Sequence, residues 1–243
     1  MSSVLIIGAS SDMAKALARK YAAEGYDLLL AGRNLDELAL FATDIRIRYS
    51  VAVESLSFDV LDFESHQTFY EGIETKPEGV VVAVGYLGDQ ALSQKVFSEA
   101  QLIINTNYTG IVSILNIIAD DFETRKHGFV IGISSVAGDR GRKSNYQYGS
   151  AKAALTAYLS GLRNRLYASK VHVLTVKPGF VNTQMTQDMD LPAPLTLEPE
   201  SVAEDIYKAQ QKQRDILYTK WIWRWIMKII VLIPELVFKR LSL

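Results

Sequence analysis

The chain has 243 residues, a formal net charge of −1, 49% hydrophobic residues and no cysteine. This composition supports a large folded core, and it excludes a disulfide scaffold, a thiolate metal site and a cysteine nucleophile. The balanced charge argues against nucleic acid as a partner. The three histidines, His66, His127 and His172, lack metal-ligand spacing and are expected at surface or loop positions.

Short apolar runs alternate with longer helical patterns along the chain. The predicted strands are 4–7, 27–31, 51–58, 79–84, 129–134, 171–177 and 216–218. The predicted helices are 13–24, 35–49, 63–73, 98–122, 146–169 and 201–211. Several strands are unbroken runs of Val, Ile and Leu, which is typical of strands covered on both faces. The order predicts a single-domain, doubly wound α/β (Rossmann) fold: a parallel sheet of about seven strands, helices on both faces, and a ligand at the carboxyl ends of the strands.

The turn after the first strand reads GASSDMA, from Gly8 to Ala14. Backbone N–H groups at a helix start suit a phosphate, and Gly8 permits a sharp turn. Asp12 would repel a diphosphate unless Asp12 or Ser11 caps the helix. A capped helix without a ligand is the alternative interpretation, because a lone glycine is a weak signal.

Arg33 follows the second predicted strand in the sequence AGRN, where a residue that contacts a ribose is expected. A guanidinium there suits a 2′-phosphate, whereas a carboxylate would suit a free 2′-hydroxyl. The predicted cofactor is therefore NADP(H) rather than NAD(H). A solvated arginine at a helix start is the alternative.

Tyr148 and Lys152 stand four positions apart in YGSAK and share one face of a predicted helix. A neighbouring ammonium group is expected to lower the pKa of the phenol toward the working range. Ser135 ends the fifth strand, 13 positions before Tyr148, so the loop between them can bring both hydroxyls to one carbonyl oxygen. A chance Tyr-x-x-x-Lys pair on a solvated helix is the alternative.

Two further motifs fall at the same end of the predicted sheet. Asn107 interrupts an apolar helix, which indicates either a buried polar bridge or a residue that holds water. In KPGFVNT, Pro178 ends the sixth strand, Gly179 allows the turn, and Thr183 can reach a carboxamide or a phosphate.

Together these residues resemble the short-chain dehydrogenase/reductase family over nearly the whole chain. The matching residues are Gly8, Asp59, Asn107-x-x-Gly110, Ser135, Tyr148-x-x-x-Lys152, Pro178-Gly179 and Thr183. The resemblance implies hydride transfer between a nicotinamide and a carbonyl or alcohol. It also favours a homo-oligomer, as do the long apolar helical patterns at 98–122 and 146–169. It implies Tyr148 as general acid, Lys152 as the group that lowers its pKa and binds the nicotinamide ribose, and Ser135 as the group that orients the carbonyl. Asn107 would hold a water that relays protons.

The cofactor contacts expected from the residues and the resemblance together are Gly8, Ser10, Ser11, Met13, Arg33, Asp59, Val60, Gly85, Tyr148, Lys152, Pro178, Val181 and Thr183. Two features depart from the family pattern. The glycine turn is reduced to Gly8, and paired asparagines after the fourth strand are missing, so Gly85 of AVGYLGD is matched there. A narrower resemblance, in AVGYLGD, NTNYTG and the basic aromatic tail, is to the decaprenylphosphoryl-ketopentose reductases of cell-wall arabinan synthesis. It implies a hydrophobic or lipid-linked substrate, such as a keto-sugar.

Residues 220–243 are predicted as a tail after a catalytic domain at 1–219. In KWIWRWIMKIIVLIP, Lys220, Arg224 and Lys228 recur every four residues opposite an isoleucine-rich side, which predicts a basic amphipathic helix. A lid over the pocket, a subunit interface and a peripheral contact with an anionic membrane all remain open for it. Its charges argue against a spanning helix, and no secretory leader is visible, so a cytoplasmic protein is expected, with the inner membrane face as the place of any peripheral contact.

A soluble reductase of small ketones and a non-catalytic dinucleotide sensor or scaffold remain as alternatives. The tail argues against the first, and the intact serine, tyrosine and lysine argue against the second. A sugar-nucleotide epimerase or dehydratase would need a larger C-terminal region.

Overall fold

The computed structural model describes residues 2–241. The strands are β1 Ser3–Ile7, β2 Asp27–Gly32, β3 Val53–Ser57, β4 Gly79–Val82, β5 Phe129–Ile133, β6 His172–Lys177, β7 Phe180–Val181, β8 Thr196–Leu197 and β9 Ile216–Tyr218. Seven of them form one parallel sheet in the order β3-β2-β1-β4-β5-β6-β9. The pair β7 and β8 forms a separate two-stranded sheet.

The helices are α1 Asp12–Ala23, α2 Leu35–Tyr49, α3 His66–Glu71, α4 Gln90–Ser93, α5 Phe97–Ile104, α6 Gly110–Arg125, α7 Tyr146–Leu166, α8 Pro199–Gln211, α9 Ile222–Leu232 and α10 Glu235–Phe238. The predicted doubly wound Rossmann sheet with helices on both faces is confirmed. The apolar runs explain it: Val4 to Ile7 of β1 are fully buried, since α1, α2 and α8 cover one face of the sheet and α6 and α7 cover the other.

The strand order reverses between β1 and β4, and this switch point opens the main cleft. Ile7 is level with Ala31 of β2 and with Val82 of β4, so the three strands end together. Strand β4 ends at Val82 rather than at the predicted residue 84. The backbone of Val84 instead lies against Gly8, only 3.0 Å from the position that a Cβ on Gly8 would occupy. Residues 84–86 therefore leave the sheet and line one edge of the cleft.

The predicted helix 98–122 is one helical run, from Phe97 to Arg125, interrupted by a π turn at Asn105–Thr109. Its length and composition would allow it to cross a membrane, but half of its apolar window is buried inside the protein. Ile111, Ile114 and Leu115 have no exposed surface, and they pack against the sheet. This run is therefore a core helix of the domain.

The surface or loop position expected for all three histidines is wrong for His66. This residue begins α3 and is fully buried. Its Nδ1 lies 2.9 Å from Ser113 Oγ and its Nε2 lies 3.1 Å from the carbonyl oxygen of Asp59. Because both ring nitrogens have partners, the buried imidazole ties α3 and α6 to the segment after β3.

The tail helix α9 packs against the rest of the chain through its buried residues Trp223 and Met227. Both belong to a small apolar cluster with Val136 and Phe180. The domain boundary at residue 219 stays a prediction.

Candidate active site

The turn after β1 has the geometry of a phosphate-binding turn. Gly8 has a φ of 81°, and its N–H donates to the carbonyl of Ala31 over 2.9 Å. A side chain at this position would be strained by the positive φ and would meet Val84, so glycine is required. The N–H groups at the start of α1 follow directly, which makes the turn suitable for an anion.

Asp12 is not the capping residue of α1. Ser11 is the N-cap, and its side chain accepts a hydrogen bond from the N–H of Ala14 over 3.3 Å. Asp12 is the first helical residue, and its Oδ2 accepts from the N–H of Gln184 over 2.8 Å. One carboxylate oxygen therefore faces the segment after β7, which explains how a carboxylate is accommodated at this turn.

A cleft of about 900 Å³ runs across the carboxyl ends of β1, β2 and β4. Its volume is at the upper end of the range for small-molecule sites. The predicted cofactor contacts that line it are Gly8, Ser10, Ser11, Arg33, Asp59, Val60 and Gly85. Sequence reasoning missed several lining residues that stand beside these in the chain, namely Asn34, Leu35, Asp36, Phe58, Leu61 and Tyr86. Their position next to the strand ends was the available signal. It also missed Leu102 and Thr106, which come from α5 and the π turn and had no such signal.

Charge in the cleft is mixed around Arg33. Arg33 is exposed there, and Asp36 and Glu37 of α2 line the same wall. Glu37 forms an ion pair with Lys15 at 2.6 Å, which offsets its charge. The ribose end of the cleft thus presents one guanidinium and one carboxylate, Asp36.

The remaining predicted cofactor contacts lie outside the lining of this cleft. Met13 packs against the core, and Pro178 and Val181 are buried. The carbonyl of Pro178 accepts from the N–H of Val136 over 3.0 Å, which joins the two segments that follow β5 and β6. Thr183 caps a short 3-10 turn, Gln184–Thr186, beside α1.

Lys152 is buried next to the cleft. Its side chain is 2% exposed, and its Nζ donates to the carbonyls of Ile133 over 3.0 Å and Val84 over 3.4 Å. Burial lowers the pKa of Lys152 to about 7, because the ammonium group has lost hydration without gaining a carboxylate. The Nζ lies 5.7 Å from the centre of the Tyr148 ring, as expected for positions four apart on one helix face.

Tyr148 does not have the lowered pKa that the sequence predicts. Burial raises the pKa of Tyr148 to about 12, and interaction with the Ser135 side chain lowers it only in part. The expectation is wrong for the chain by itself because desolvation opposes the phenolate and acts on Lys152 as well, favouring its neutral amine. At neutral pH the phenol is fully protonated.

The turn after β5, which holds Ser135, packs closely on α7, which holds Tyr148. The Ser135 side chain accepts from the N–H of Ala137 over 3.1 Å and caps the 3-10 turn Val136–Gly138. A Cβ on Gly138 would lie 2.7 Å from the backbone nitrogen of Ala153, so a larger residue would push this turn away from the helix. The serine and the tyrosine are thereby brought together.

Asn107 is fully buried within the π turn. Its Nδ2 donates to the carbonyls of Tyr86 and Ile103 over 2.6 and 2.8 Å, and its Oδ1 accepts from the N–H of Tyr86 over 3.2 Å. Of the two predicted alternatives for Asn107, these contacts correspond to the buried polar bridge. It fixes the segment after β4, including Gly85, next to Lys152.

The loop between Ser135 and Tyr148 also holds the tail. Arg140 donates to the carbonyls of Ile230 and Ile233, both over 2.6 Å, and pairs with Glu235 at 2.9 Å. Its guanidinium carbon lies 3.6 Å from the centre of the Phe238 ring. The end of α9 and the start of α10 are therefore fastened to the loop between the candidate catalytic residues.

A second network lies beneath that loop. Asp139 accepts from Lys177 Nζ over 2.5 Å and from the Tyr218 hydroxyl over 2.9 Å. Burial and the hydrogen bond to Asp139 raise the pKa of Tyr218. These contacts join the loop to β6 and β9, so it is anchored from the sheet side and from the tail side.

Comparison with known proteins gives the family. The model of the family described as short chain dehydrogenase matches residues 2–192. An uncharacterized oxidoreductase of Mycobacterium tuberculosis is 37% identical over 241 residues, which cover 98% of this chain and 96% of that protein. An uncharacterized oxidoreductase of Streptomyces coelicolor is 32% identical over 242 residues, with 98% and 95% coverage. The chain belongs to the short chain dehydrogenase family and is an NAD(P)-dependent oxidoreductase.

Solved structures agree on the fold. A short-chain dehydrogenase from Sphingobium yanoikuyae, in complex with NADPH, has a TM-score of 0.84 at 22% identity and covers 94% of this chain and 92% of its own. A bulky-bulky ketone specific alcohol dehydrogenase from Comamonas testosteroni has a TM-score of 0.81 at 18% identity, with 97% and 96% coverage. At these identities the likeness concerns the fold alone.

Proposed function

We propose that the protein reduces a ketone with NADPH, using Tyr148 as proton donor, Ser135 to orient the carbonyl and Lys152 to stabilise the phenolate that remains. The observation that carries this proposal is the arrangement of a protonated phenol, a serine side chain and a buried amine at the carboxyl end of β5, beside the main cleft. A bound nicotinamide would supply the hydride.

The raised pKa of Tyr148 fits the direction of reduction. A phenol that stays protonated at neutral pH can donate a hydrogen bond and then a proton to a carbonyl oxygen. The phenolate left behind would gain from a protonated Lys152, whose pKa of about 7 lets it hold or release a proton near neutral pH. In this proposal Asn107 holds the segment of Gly85 and Tyr86 in place through its hydrogen bonds to Tyr86. We also propose that Asn107 binds a water molecule that relays protons.

The proposed cofactor contacts follow the cleft. Gly8, Ser10 and Ser11 would hold the diphosphate, Arg33 the 2′-phosphate, and Asp59 and Val60 the adenine, since all of these residues line the one cleft. Met13, Pro178, Val181 and Thr183 remain proposed contacts, the last two for the nicotinamide carboxamide.

The substrate is proposed to be hydrophobic or lipid-linked, with a keto-sugar of the decaprenylphosphoryl-ketopentose type as the specific candidate. The support is the narrower sequence resemblance and the tail, whose tryptophans Trp221 and Trp225 are exposed beside Arg224 and Lys228. Such a surface suits peripheral contact with the inner face of an anionic membrane. Self-association through the long helices is part of the same proposal.

Oxidation of NADPH and NADH against a ketone panel tests the function. Tyr148→Phe removes the donated proton while keeping the ring, and we expect a loss of kcat of at least about 10²-fold. In the same assay Arg33→Ala should weaken NADPH far more than NADH. Asp36→Ala is the matched change on the same wall and should not weaken NADPH. A Tyr148→Phe protein as active as the parent would overturn the mechanism, and an Arg33→Ala protein that keeps its NADPH preference would overturn the cofactor assignment.

A further inference from the structure

Asp12 connects the dinucleotide turn to a segment far away in the chain. It stands where the family pattern has a glycine, and its Oδ2 accepts from the N–H of Gln184, which lies 172 positions later. Because Ser11 already caps α1, the carboxylate of Asp12 is available for this contact. A glycine at this position could not make it.

The segment that Asp12 holds is a compact turn, named here the flap (residues 183–187). Thr183 and Thr186 cap each other, and the Thr186 hydroxyl donates to the carbonyl of Val181 over 2.6 Å. These bonds make the flap a small rigid unit, and the bond from the Gln184 N–H to Asp12 joins that unit to α1.

The flap approaches the centre of the candidate active site through Met185. Its methyl carbon lies 3.2 Å from the position that a Cβ on Gly85 would occupy. The same position lies 3.7 Å from Asn107 Oδ1 and 3.9 Å from Lys152 Nζ. The flap therefore lies against the end of the site where Gly85 and Lys152 meet, so a nicotinamide bound there would lie beside it.

We propose that Asp12 is a positioning residue that ties the flap to the dinucleotide turn and slows the release of the cofactor. This inference rests on the proposed dinucleotide site. Opening the flap breaks the bond between Asp12 and Gln184, and the same bond turns one carboxylate oxygen away from the phosphates. Asp12 thus acts as a latch, meaning that its bond to the Gln184 N–H must break before the flap opens. The same bond reduces the repulsion between the Asp12 carboxylate and the diphosphate.

The expected effect is modest because the bond is close to solvent. Asp12→Ala should release NADPH about fivefold faster, in line with the loss of one partly solvated hydrogen bond. Asp12→Asn keeps an acceptor of the same shape and should release NADPH at the parent rate. Glu200→Ala removes another carboxylate from the same surface cavity, one that pairs with Arg19 at 3.8 Å, and serves as the matched control.

Two measurements test the latch in the full-length protein. Stopped-flow fluorescence gives the NADPH dissociation rate, and amide hydrogen exchange of residues 182–187 reports the bond directly, with or without cofactor. Faster exchange and faster release in Asp12→Ala, with parent values in Asp12→Asn and Glu200→Ala, would support the inference. A general loss of structure would instead raise exchange throughout the chain.

Three results would overturn the inference. The first is parent-like release from Asp12→Ala, and the second is equally fast release from Asp12→Asn. The third is much tighter NADPH binding by Asp12→Asn at low salt, which would mean that the carboxylate faces the phosphates. A parent protein that binds no NADPH would overturn the proposed function itself, whereas these three results leave binding by the parent intact.

Discussion

At the scale of single residues, burial decides the chemistry of the candidate site. Tyr148 and Lys152 share a helix face as their spacing predicts, but desolvation raises the pKa of the phenol and lowers that of the amine. The two shifts have one cause: each favours the neutral form of its group. The pair is therefore a neutral acid beside an amine that is near its titration point at neutral pH.

The lowered pKa of Lys152 predicts that the free energy of unfolding depends on pH. Lys152 has a pKa of about 7 in the folded chain, against 10.5 for an ordinary lysine. Between these values the unfolded chain holds a proton that the folded chain releases, so the free energy of unfolding rises with pH, by up to about 1.4 kcal/mol per pH unit. Below pH 7 both states hold the proton and the contribution becomes constant.

Lys152→Met keeps the length of the side chain and removes the titrating group. We expect the stability of the parent relative to this variant to rise from about pH 7 to about pH 9. Denaturant titrations at several pH values measure it. Tyr148 is present in both proteins, so its contribution cancels to first order. Equal pH slopes in the two proteins would contradict the assigned burial of a neutral amine.

At the scale of elements, the tail supports the segments that border the candidate active site. Helix α9 inserts Trp223 into a cluster with Val136, which follows Ser135, and with Phe180. The rings of Trp223 and Phe180 meet edge to face at 5.1 Å. Arg140 binds the other end of the helix through the carbonyls of Ile230 and Ile233. The segment after β5 and the segment after β6, which border the candidate site, are thus both held in place by contacts with α9.

Loss of the Arg140 side chain, which bonds to Ile230, Ile233 and Glu235, should destabilise the protein. Arg140→Ala removes the side-chain donor of the Ile233 carbonyl and one of the two donors of the Ile230 carbonyl, and we expect a cost of about 2 kcal/mol, which is a fall in Tm of several degrees. Arg165→Ala is the matched control, because Arg165 forms exposed ion pairs with Asp120 and Glu123, and its removal should cost under about 1 kcal/mol. Thermal unfolding followed by circular dichroism compares the two. Equal Tm values would show that Arg140 contributes nothing beyond a surface pair.

At the scale of the whole molecule, one side of the tail carries a concentrated apolar surface. Trp221 is 73% exposed and Leu232 is 71% exposed, with Trp225 and Ile229 between them. Arg224 and Lys228 of the same helix are also exposed. Tryptophans at the level of lipid headgroups and cations near anionic phosphates are the arrangement by which amphipathic helices bind bilayers.

Vesicle pelleting tests this surface. The double change Trp221→Ser and Trp225→Ser should weaken binding to vesicles that contain phosphatidylglycerol about tenfold, and neutral phosphatidylcholine vesicles should bind the parent less. Leu40→Ser with Ile47→Ser removes two comparably exposed apolar side chains from α2 and should leave binding unchanged. These point changes are preferable to truncation, because removing α9 would also expose Val136 and Phe180. Pelleting that does not respond to the tryptophans would refute membrane contact through the tail.

Prediction from sequence succeeded where the signal is local. The unbroken run from Val4 to Ile7 predicts a buried strand, Gly8 predicts the sharp turn, and the four-residue spacing predicts that Tyr148 and Lys152 share a face. Each follows from the covalent geometry of neighbouring residues, which fixes the period of a strand or a helix. The family resemblance rests on the same local motifs, so the fold and the reaction class were accessible without coordinates.

What the tertiary structure decided involves partners distant in the chain and the removal of water. Three sets of hydrogen bonds join segments that no local pattern relates. They are the bond from Gln184 to Asp12, the bonds from Arg140 to the tail, and the bonds of the buried His66 ring. The π turn at Asn107 and the pKa values of Tyr148 and Lys152 depend on packing that is complete only in the folded chain. Local patterns along the chain were enough to predict the sheet, the sharp turn and the side chains of the candidate catalytic set. The folded environment determined their protonation and their restraints, because desolvation and long-range contacts exist only after the segments have come together.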